Sequence, residues 1–276
     1  MMTLVHGSDL HFGKPHDAAA AEDFLLAIRS VDPEVVVISG DFTQRAKVTE
    51  FEAAREFLDR LAPLPVVVTP GNHDVPMYRI LERALHPFRN YLAHIESALD
   101  TVTRIPGATL VALNTAAPRR ALVNGRMTSA QVEFARTAFG EAAEDDLRIV
   151  VAHHHLAPAP DYEGDKPLPR SRHLLDAFEA MHVDMILGGH LHRAYIGNSL
   201  DVYPGADRAR GLVIVQSGTT TSHRGRARER EKNSFNVIRT DADEIVVTHW
   251  MRFAGGFRPF SEHRFPRRPH VWLGES

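Results

Sequence analysis

The chain has 276 residues, enough for one large domain or two small ones, with 43% hydrophobic and 24% charged side chains, as in an ordinary globular protein. Its 32 basic and 35 acidic residues leave a net charge of −3, so no global field draws nucleic acid or an anionic membrane to it. Cysteine is absent, which excludes disulfides and thiolate metal sites. No run reaches the roughly 18 apolar residues of a membrane-spanning helix, and the start of the chain lacks a cationic stretch followed by an apolar one, so a cytoplasmic location is expected.

In chain order, Thr3 to Val5 reads as a short strand leading into the loop Gly7-Ser8-Asp9-Leu10-His11-Phe12-Gly13. Phe24, Leu25, Ile28 and Val31 have helical spacing over Ala18 to Val31. Val35 to Ser39 is an apolar, β-branched run that stops at Gly40 and presents Asp41. Val48 to Leu61 carries Phe51, Ala54, Phe57, Leu58 and Leu61 on one helical face. A third strand, Pro65 to Pro70, runs straight into Gly71-Asn72-His73-Asp74. This strand–helix–strand rhythm predicts a parallel sheet with right-handed crossovers.

Met77 to Leu99 reads as two helical pieces broken at Pro87. Thr101 to Arg104 and Thr109 to Leu113 are short strands around Pro106-Gly107. Thr128 to Phe139 is a helix with Thr128 or Ser129 as its cap. Leu147 to Ala152 is a strand that delivers His153-His154-His155. Ala157 to Arg172, rich in proline and charge, reads as a surface loop. Ser171 to Met181 is a helix, and Val183 to Leu187 is a strand that delivers Gly189-His190-Leu191-His192. Ala194 to Ser199, Gly211 to Ser217, Ser234 to Arg239 and Ile245 to Met251 follow without helices between them, which predicts an antiparallel second sheet. Gly225 to Lys232 alternates in charge and reads as a solvated loop. From Gly255 onward no periodicity is visible, and irregular chain is expected.

Asp9, His11, Asp41, Asn72, His153, His190 and His192 each follow a predicted strand, the place where open α/β sheets hold their sites. Carboxylate, imidazole and amide donors suit Mn²⁺, Fe²⁺ or Zn²⁺. Seven donors exceed the needs of one ion and suit two ions sharing a carboxylate. In an extended turn, the two members of Asp-x-His and of His-x-His would point the same way.

The five blocks D-x-H, G-D, G-N-H-D, H and G-H-x-H, in this order between Asp9 and His192, resemble the calcineurin-like metallophosphoesterases. The resemblance implies an α/β fold, a four-layer α/β/β/α sandwich of two mixed sheets flanked by helices, with residues 1–254 as its single domain and 255–276 as a tail. It implies Asp9, His11 and His192 on a first metal, Asn72, His153 and His190 on a second, and Asp41 bridging both. His73 would stand over the scissile phosphate as a donor, with Asp74 orienting it. A bridging hydroxide would attack phosphorus. His153 aligns with the first histidine of the family's His-His-Pro, which leaves His154 as a support or a substrate contact. Where purple acid phosphatases carry a tyrosine, this chain has Gln44.

The opening Ser8-Asp9-Leu10-His11-Phe12-Gly13 and Gly71-Asn72-His73-Asp74 look most like bacterial class III cyclic-nucleotide and glycerophosphodiester phosphodiesterases. A small phosphodiester is therefore the expected substrate, with 3′,5′-cyclic nucleotides one candidate. His154, Asn114, Arg45 and Arg224 are candidate substrate contacts on nearby loops, with Gln44, His155, Ser222 and His223 beside them. A monoester or a nucleic acid end is the alternative, and a non-catalytic scaffold a remoter one. A nuclease would be expected to show a broad basic face; Arg224, Arg226, Arg228, Arg230 and Lys232 are interleaved with Glu229 and Glu231. Hydrolases of lipid A precursors usually have arginine where this chain has His73, which argues against them.

Overall fold

The computed structural model describes residues 2–119, 124–158, 166–204, 211–226 and 229–267. Part of the expected 157–172 loop, Arg228 and the end of the tail lie outside the described residues. The chain opens as β1 (Met2–Gly7), α1 (Ala18–Val31), β2 (Val35–Ile38), α2 (Val48–Asp59) and β3 (Val66–Val68). It continues as α3 (Ile80–Leu85), α4 (Arg89–His94), β4 (Thr101–Ile105), β5 (Ala108–Ala112), α5 (Ser129–Gly140) and β6 (Leu147–Val151). Next come α6 (Ser171–Glu179), β7 (Met185–Gly188), β8 (Tyr195–Asn198), α7 (Ser199–Val202) and β9 (Val213–Gln216). The last strands are β10 (Ser234–Thr240), β11 (Glu244–Phe253) and β12 (Gly256–Pro266).

The helix starts follow from their caps. The Asp17 side chain accepts from the Ala19 and Ala20 amides, and Thr128 forms a reciprocal capping box with Gln131. Alternation inside the apolar strands then sets the layers. In β2, Val35 and Val37 point into a core shared by both sheets, with Leu110, Ile149, Leu187 and Val215 from the second sheet. Val36 and Ile38 point the other way, onto Phe24, Ile28, Phe51 and Phe57 of α1 and α2. Val150 and Ile186 of the second sheet likewise face Phe139 of α5 and Phe178 of α6. Both faces of each sheet are covered, which is why these strands read as unbroken apolar runs.

The sheets run β12-β11-β10-β1-β2-β3 and β4-β5-β6-β7-β9-β8. Each has a run of parallel strands, β1-β2-β3 at one end of the first and β5-β6-β7-β9 inside the second, and antiparallel additions. This is the expected four-layer α/β/β/α sandwich, with one correction. The four late strands do not make a sheet of their own. β8 and β9 complete the second sheet, and β10 and β11 extend the first from β1. Local alternation marks a strand but not its neighbour, which is chosen by burial at long range.

The expected irregular tail needs a second correction. Residues 256–266 form β12, the edge strand, paired with β11 along its length. Its pattern is broken at Pro259, which sits where the register shifts beside His249 and Trp250. Proline lacks the amide for a central ladder and is tolerated at an edge or bulge.

Candidate metal centre

The turns after β1, β2, β3, β6 and β7 converge at one end of the two sheets. Asp9, His11, Asp41, Asn72, His153, His190 and His192 are all buried there. Two donor sets share Asp41. In the first, His192 Nε2 lies 3.1 Å from Asp9 Oδ1 and 3.2 Å from His11 Nε2. His11 Nε2 lies 3.4 Å from Asp9 Oδ1 and 3.8 Å from Asp41 Oδ2. In the second, Asn72 Oδ1 lies 3.3 Å from His153 Nε2 and 3.0 Å from His190 Nδ1. His153 Nε2 is 3.4 Å from Asp41 Oδ2.

Such spacings suit donors around a cation bonded at about 2.0–2.2 Å. Two imidazole nitrogens 3.2 Å apart share at most one proton, whereas a cation accepts both lone pairs. Asp9 Oδ1 and Asp41 Oδ2 have no hydrogen-bond partner although they are fully buried. A buried carboxylate oxygen left so is costly unless an ion meets it. The donor set therefore fits two divalent cations.

The backbone explains why the ligand pairs converge. Asp9, His11, Asp41, His190 and His192 all have left-handed φ values, between 48° and 72°. The Asp-x-His and His-x-His pairs are thus not extended turns, as expected from sequence. A left-handed residue folds the chain back, so each pair faces the centre while Leu10 and Leu191 between them are buried in the core. Each such residue costs about 1–3 kcal/mol and must be held by its surroundings. Here the turns hold one another: the Asp9 amide donates to Gly40 O, His11 to Asp41 O, His190 to Asp9 Oδ2 and Gly189 to His153 O. Gly40 has φ +98°, and a Cβ there would stand 2.6 Å from His153 Nδ1.

Main-chain carbonyls fix the ring orientations. His153 Nδ1 donates to Ser39 O at 2.7 Å and His192 Nδ1 to Arg224 O at 3.1 Å, which turns both Nε2 lone pairs inward. Burial and then histidine charges set the acid strengths. Burial pushes the Asp9 and Asp41 carboxyls up, but His192 beside Asp9 and His153 beside Asp41 hold both well below the usual carboxylate range. Burial pulls His11 down to about 4 and His190 to about 3. Burial opposes charge on His153, but Asp41 facing it raises it to about 9, so a cation at Nε2 would have to displace a proton there.

His73 stands at the rim. Its amide donates to Asp41 Oδ1 at 2.8 Å and its ring is edge-on to His11 at 4.9 Å. Nδ1 donates to the carbonyl of Gln44 at 2.9 Å, and Nε2 faces Arg224 Nη1 at 3.2 Å. Arg224, a candidate contact from sequence, is thereby at the centre. Asp74, expected to orient His73, makes no direct hydrogen bond to its ring and reaches its carbonyl only through Thr43 Oγ1. The buried Asp74 carboxylate instead accepts from the Gly71, Phe42 and Thr43 amides and from Thr43 Oγ1. Burial, then Asp41, raises it to about 7 against these bonds. It braces the two turns to each other, and the task of aiming His73 falls to Gln44 O. A carbonyl has no signature in a sequence, so this partner was not legible there.

The other candidate contacts are placed differently. His154 is buried directly against the second donor set, bonded through Nδ1 to Thr115 Oγ1 at 2.8 Å, its ring 4.6 Å from that of His190 and its Nε2 without a hydrogen-bond partner. Asn114 lines a separate cavity of about 710 Å³ that no member of the metal cluster lines, and its side chain accepts from the Ala116 amide. Arg45 is exposed, 5.8 Å over the ring of Tyr78. The supposed solvated run 225–232 contains the buried Glu229, which accepts from the Ala194 amide and Ser234 Oγ.

Residues 2–194 match the family model described as calcineurin-like phosphoesterase. UDP-2,3-diacylglucosamine pyrophosphatase LpxG of Chlamydia trachomatis is 34% identical over 97 residues, 35% of this chain and 29% of that protein. The alignments span less than a third of the curated relatives they match. The purple acid phosphatase PPD1 of yellow lupin (Lupinus luteus) superposes with a TM-score of 0.73 at 14% identity, over 96% of this chain and 53% of that one. A dimetal phosphatase from Danio rerio does so with a TM-score of 0.67 at 11% identity, over 97% and 99%. At such identities the structural likeness establishes the fold. Among the described residues no helix is long and apolar enough to cross a membrane.

Proposed function

The chain belongs to the calcineurin-like phosphoesterase family, and from that premise we propose that it is a metal-dependent phosphodiesterase acting on small diesters. The observation that carries the reading is the pair of orphaned carboxylate oxygens, Asp9 Oδ1 and Asp41 Oδ2, inside two converging donor sets. Asp9, His11 and His192 would hold one cation, Asn72, His153 and His190 the other, with Asp41 common to both. Divalent cations so held supply an activated water at neutral pH and charge neutralisation for the phosphoryl oxygens. Manganese, iron and zinc all suit this donor chemistry.

The chain's own residues do the rest. Arg224 Nη1 and His73 Nε2 present two groups at the rim where a phosphoryl oxygen would bind. Displacement of Gln44 Oε1 by that oxygen would leave the guanidinium to neutralise the charge that grows on it. His73, with Nδ1 held by Gln44 O, offers Nε2 alone to the substrate, so one atom carries any proton passed to the leaving group.

The similarity to LpxG favours a second reading within the same chemistry, a diphosphate diester such as a nucleotide-linked sugar. Position 73 is histidine here, but Arg224 brings a guanidinium to within 3.2 Å of it. The test is a panel: bis-p-nitrophenyl phosphate, 3′,5′-cyclic nucleotides, glycerophosphodiesters, a UDP-sugar, monoesters and single-stranded DNA, each with Mn²⁺ and with chelator. Diester cleavage that needs Mn²⁺ and vanishes in Asp41→Asn is expected. Activity on no phosphoester, or no metal bound, would overturn the reading.

A further inference from the structure

Helix α3 is built inside out. None of its residues is buried. Leu81 is 79% exposed, Ile80 67% and Leu85 66%, and Tyr78 just ahead of the helix is 76% exposed. A surface helix ordinarily turns such residues to the core. Arginines in and around it hold its backbone instead. The Arg79 guanidinium donates to Arg45 O and Ala46 O, Arg83 donates to Met77 O, and Arg119 reaches across to Ala84 O. Backbone hydrogen bonds from charged side chains pin the segment, and the apolar side chains are left outside as a ridge.

The ridge lies beside the turn that holds His73, with the Arg45 side chain pointing outward over it. Tyr78 lies under Arg45, the residue after Gln44, whose carbonyl holds His73. Its charge is local and opposite to that of the chain. Between residues 77 and 94 stand Arg79, Arg83 and Arg89 and the single acid Glu82, which pairs with Arg79 and leaves two positive charges over, in a protein of net charge −3. A second copy packed on the ridge about a two-fold axis would set these arginines against themselves. An anionic lipid surface would take the apolar side chains and neutralise the arginines together.

We propose that the ridge Tyr78, Ile80, Leu81 and Leu85 is a docking element for an anionic membrane surface, which brings the rim of the metal centre to the interface. This goes beyond hydrolysis of a diester and does not depend on it. The experiment is co-sedimentation with vesicles of phosphatidylcholine alone and of phosphatidylcholine with phosphatidylglycerol in equal parts. Wild type is expected to partition onto the mixed vesicles, and less so as salt rises. Leu81→Asp and Leu85→Asp should each weaken partitioning by about tenfold or more, since each removes a side chain from the apolar phase. Their Mn²⁺-dependent turnover of bis-p-nitrophenyl phosphate and their melting temperatures should match wild type, because both positions are exposed. A Leu81→Trp probe should shift its fluorescence to the blue on the mixed vesicles. No partitioning, partitioning that both aspartates leave intact, or a dimer in sedimentation equilibrium that Leu81→Asp dissociates would each overturn the proposal.

Discussion

Nη1 of Arg224 lies 3.2 Å from Nε2 of His73 and donates to Oε1 of Gln44 at 2.9 Å. These residues lie far apart in sequence, yet one guanidinium spans the mouth of the centre. The carbonyl of the same Gln44 holds the other side of the His73 ring. Arginine and histidine thus reach one point with fixed aim and little slack.

If both act on one phosphoryl group, removing either should slow turnover without unfolding the protein. His73→Ala is expected to lower kcat by about 10²–10⁴-fold, the range for a lost acid or base. Arg224→Ala should cost about 10²-fold, as for one lost donor to developing charge. Arg224→Lys should recover little, because an ammonium lacks the planar fork that would meet the phosphoryl oxygen once Gln44 is displaced. Steady-state kinetics on bis-p-nitrophenyl phosphate decide this, and full activity in Arg224→Lys would refute the forked contact.

Asp41 faces both donor sets, so Asp41→Asn should hurt more than Asp9→Asn or His190→Ala. Metal counting by emission spectrometry should show both ions depleted in Asp41→Asn, and mainly one in each of the others. Wild type should melt higher with Mn²⁺ than with chelator, because ions bound only by the folded state stabilise it. A wild-type melting point indifferent to metal would contradict the donor geometry.

Asp74 braces Gly71, Phe42 and Thr43, so its loss should register first in stability. Asp74→Asn leaves an amide nitrogen against at least one of these donors, at a cost of about 1–3 kcal/mol. Urea unfolding of the metal-free protein measures it. Unchanged stability with lost activity would return Asp74 to the direct role that the motif suggested.

His6 gives the fold a further pH dependence, set by burial and only partly opposed by the charge of Asp9. Its buried ring bonds to Ser39 Oγ through Nε2, leaves Nδ1 without a partner, and is pulled by burial from 6.5 to about 3. Between those values the unfolded chain takes a proton that the folded one refuses, so stability is full above about 6.5 and falls as pH drops toward about 3. The slope from this residue approaches about 1.4 kcal/mol per pH unit. Urea midpoints of metal-free wild type and His6→Gln at pH 7.5 and 5 should show a smaller loss in the variant. Equal losses would place the acid sensitivity elsewhere.

Gly40→Ala should abolish metal binding although it adds one methyl group, since φ is +98° and the new Cβ would press on the His153 ring. A variant that still binds two ions would mean that the β2 turn can yield.

The sequence by itself determined the strands that end in the seven candidate donors and the order in which these come. Alternation and spacing are local properties, and a β-branched run that stops at Gly40-Asp41 needs no distant partner to be read. The tertiary structure alone decided which late strand joined which sheet, that residues 256–266 close an edge, and that the ligand pairs adopt left-handed backbone. It alone replaced Asp74 with a carbonyl of Gln44 behind His73, and carried Arg224 to the mouth of the centre while leaving Asn114 and Arg45 away from it. Those outcomes depend on pairings between residues far apart in the chain and on main-chain atoms common to every residue. Neither leaves a mark on composition or period.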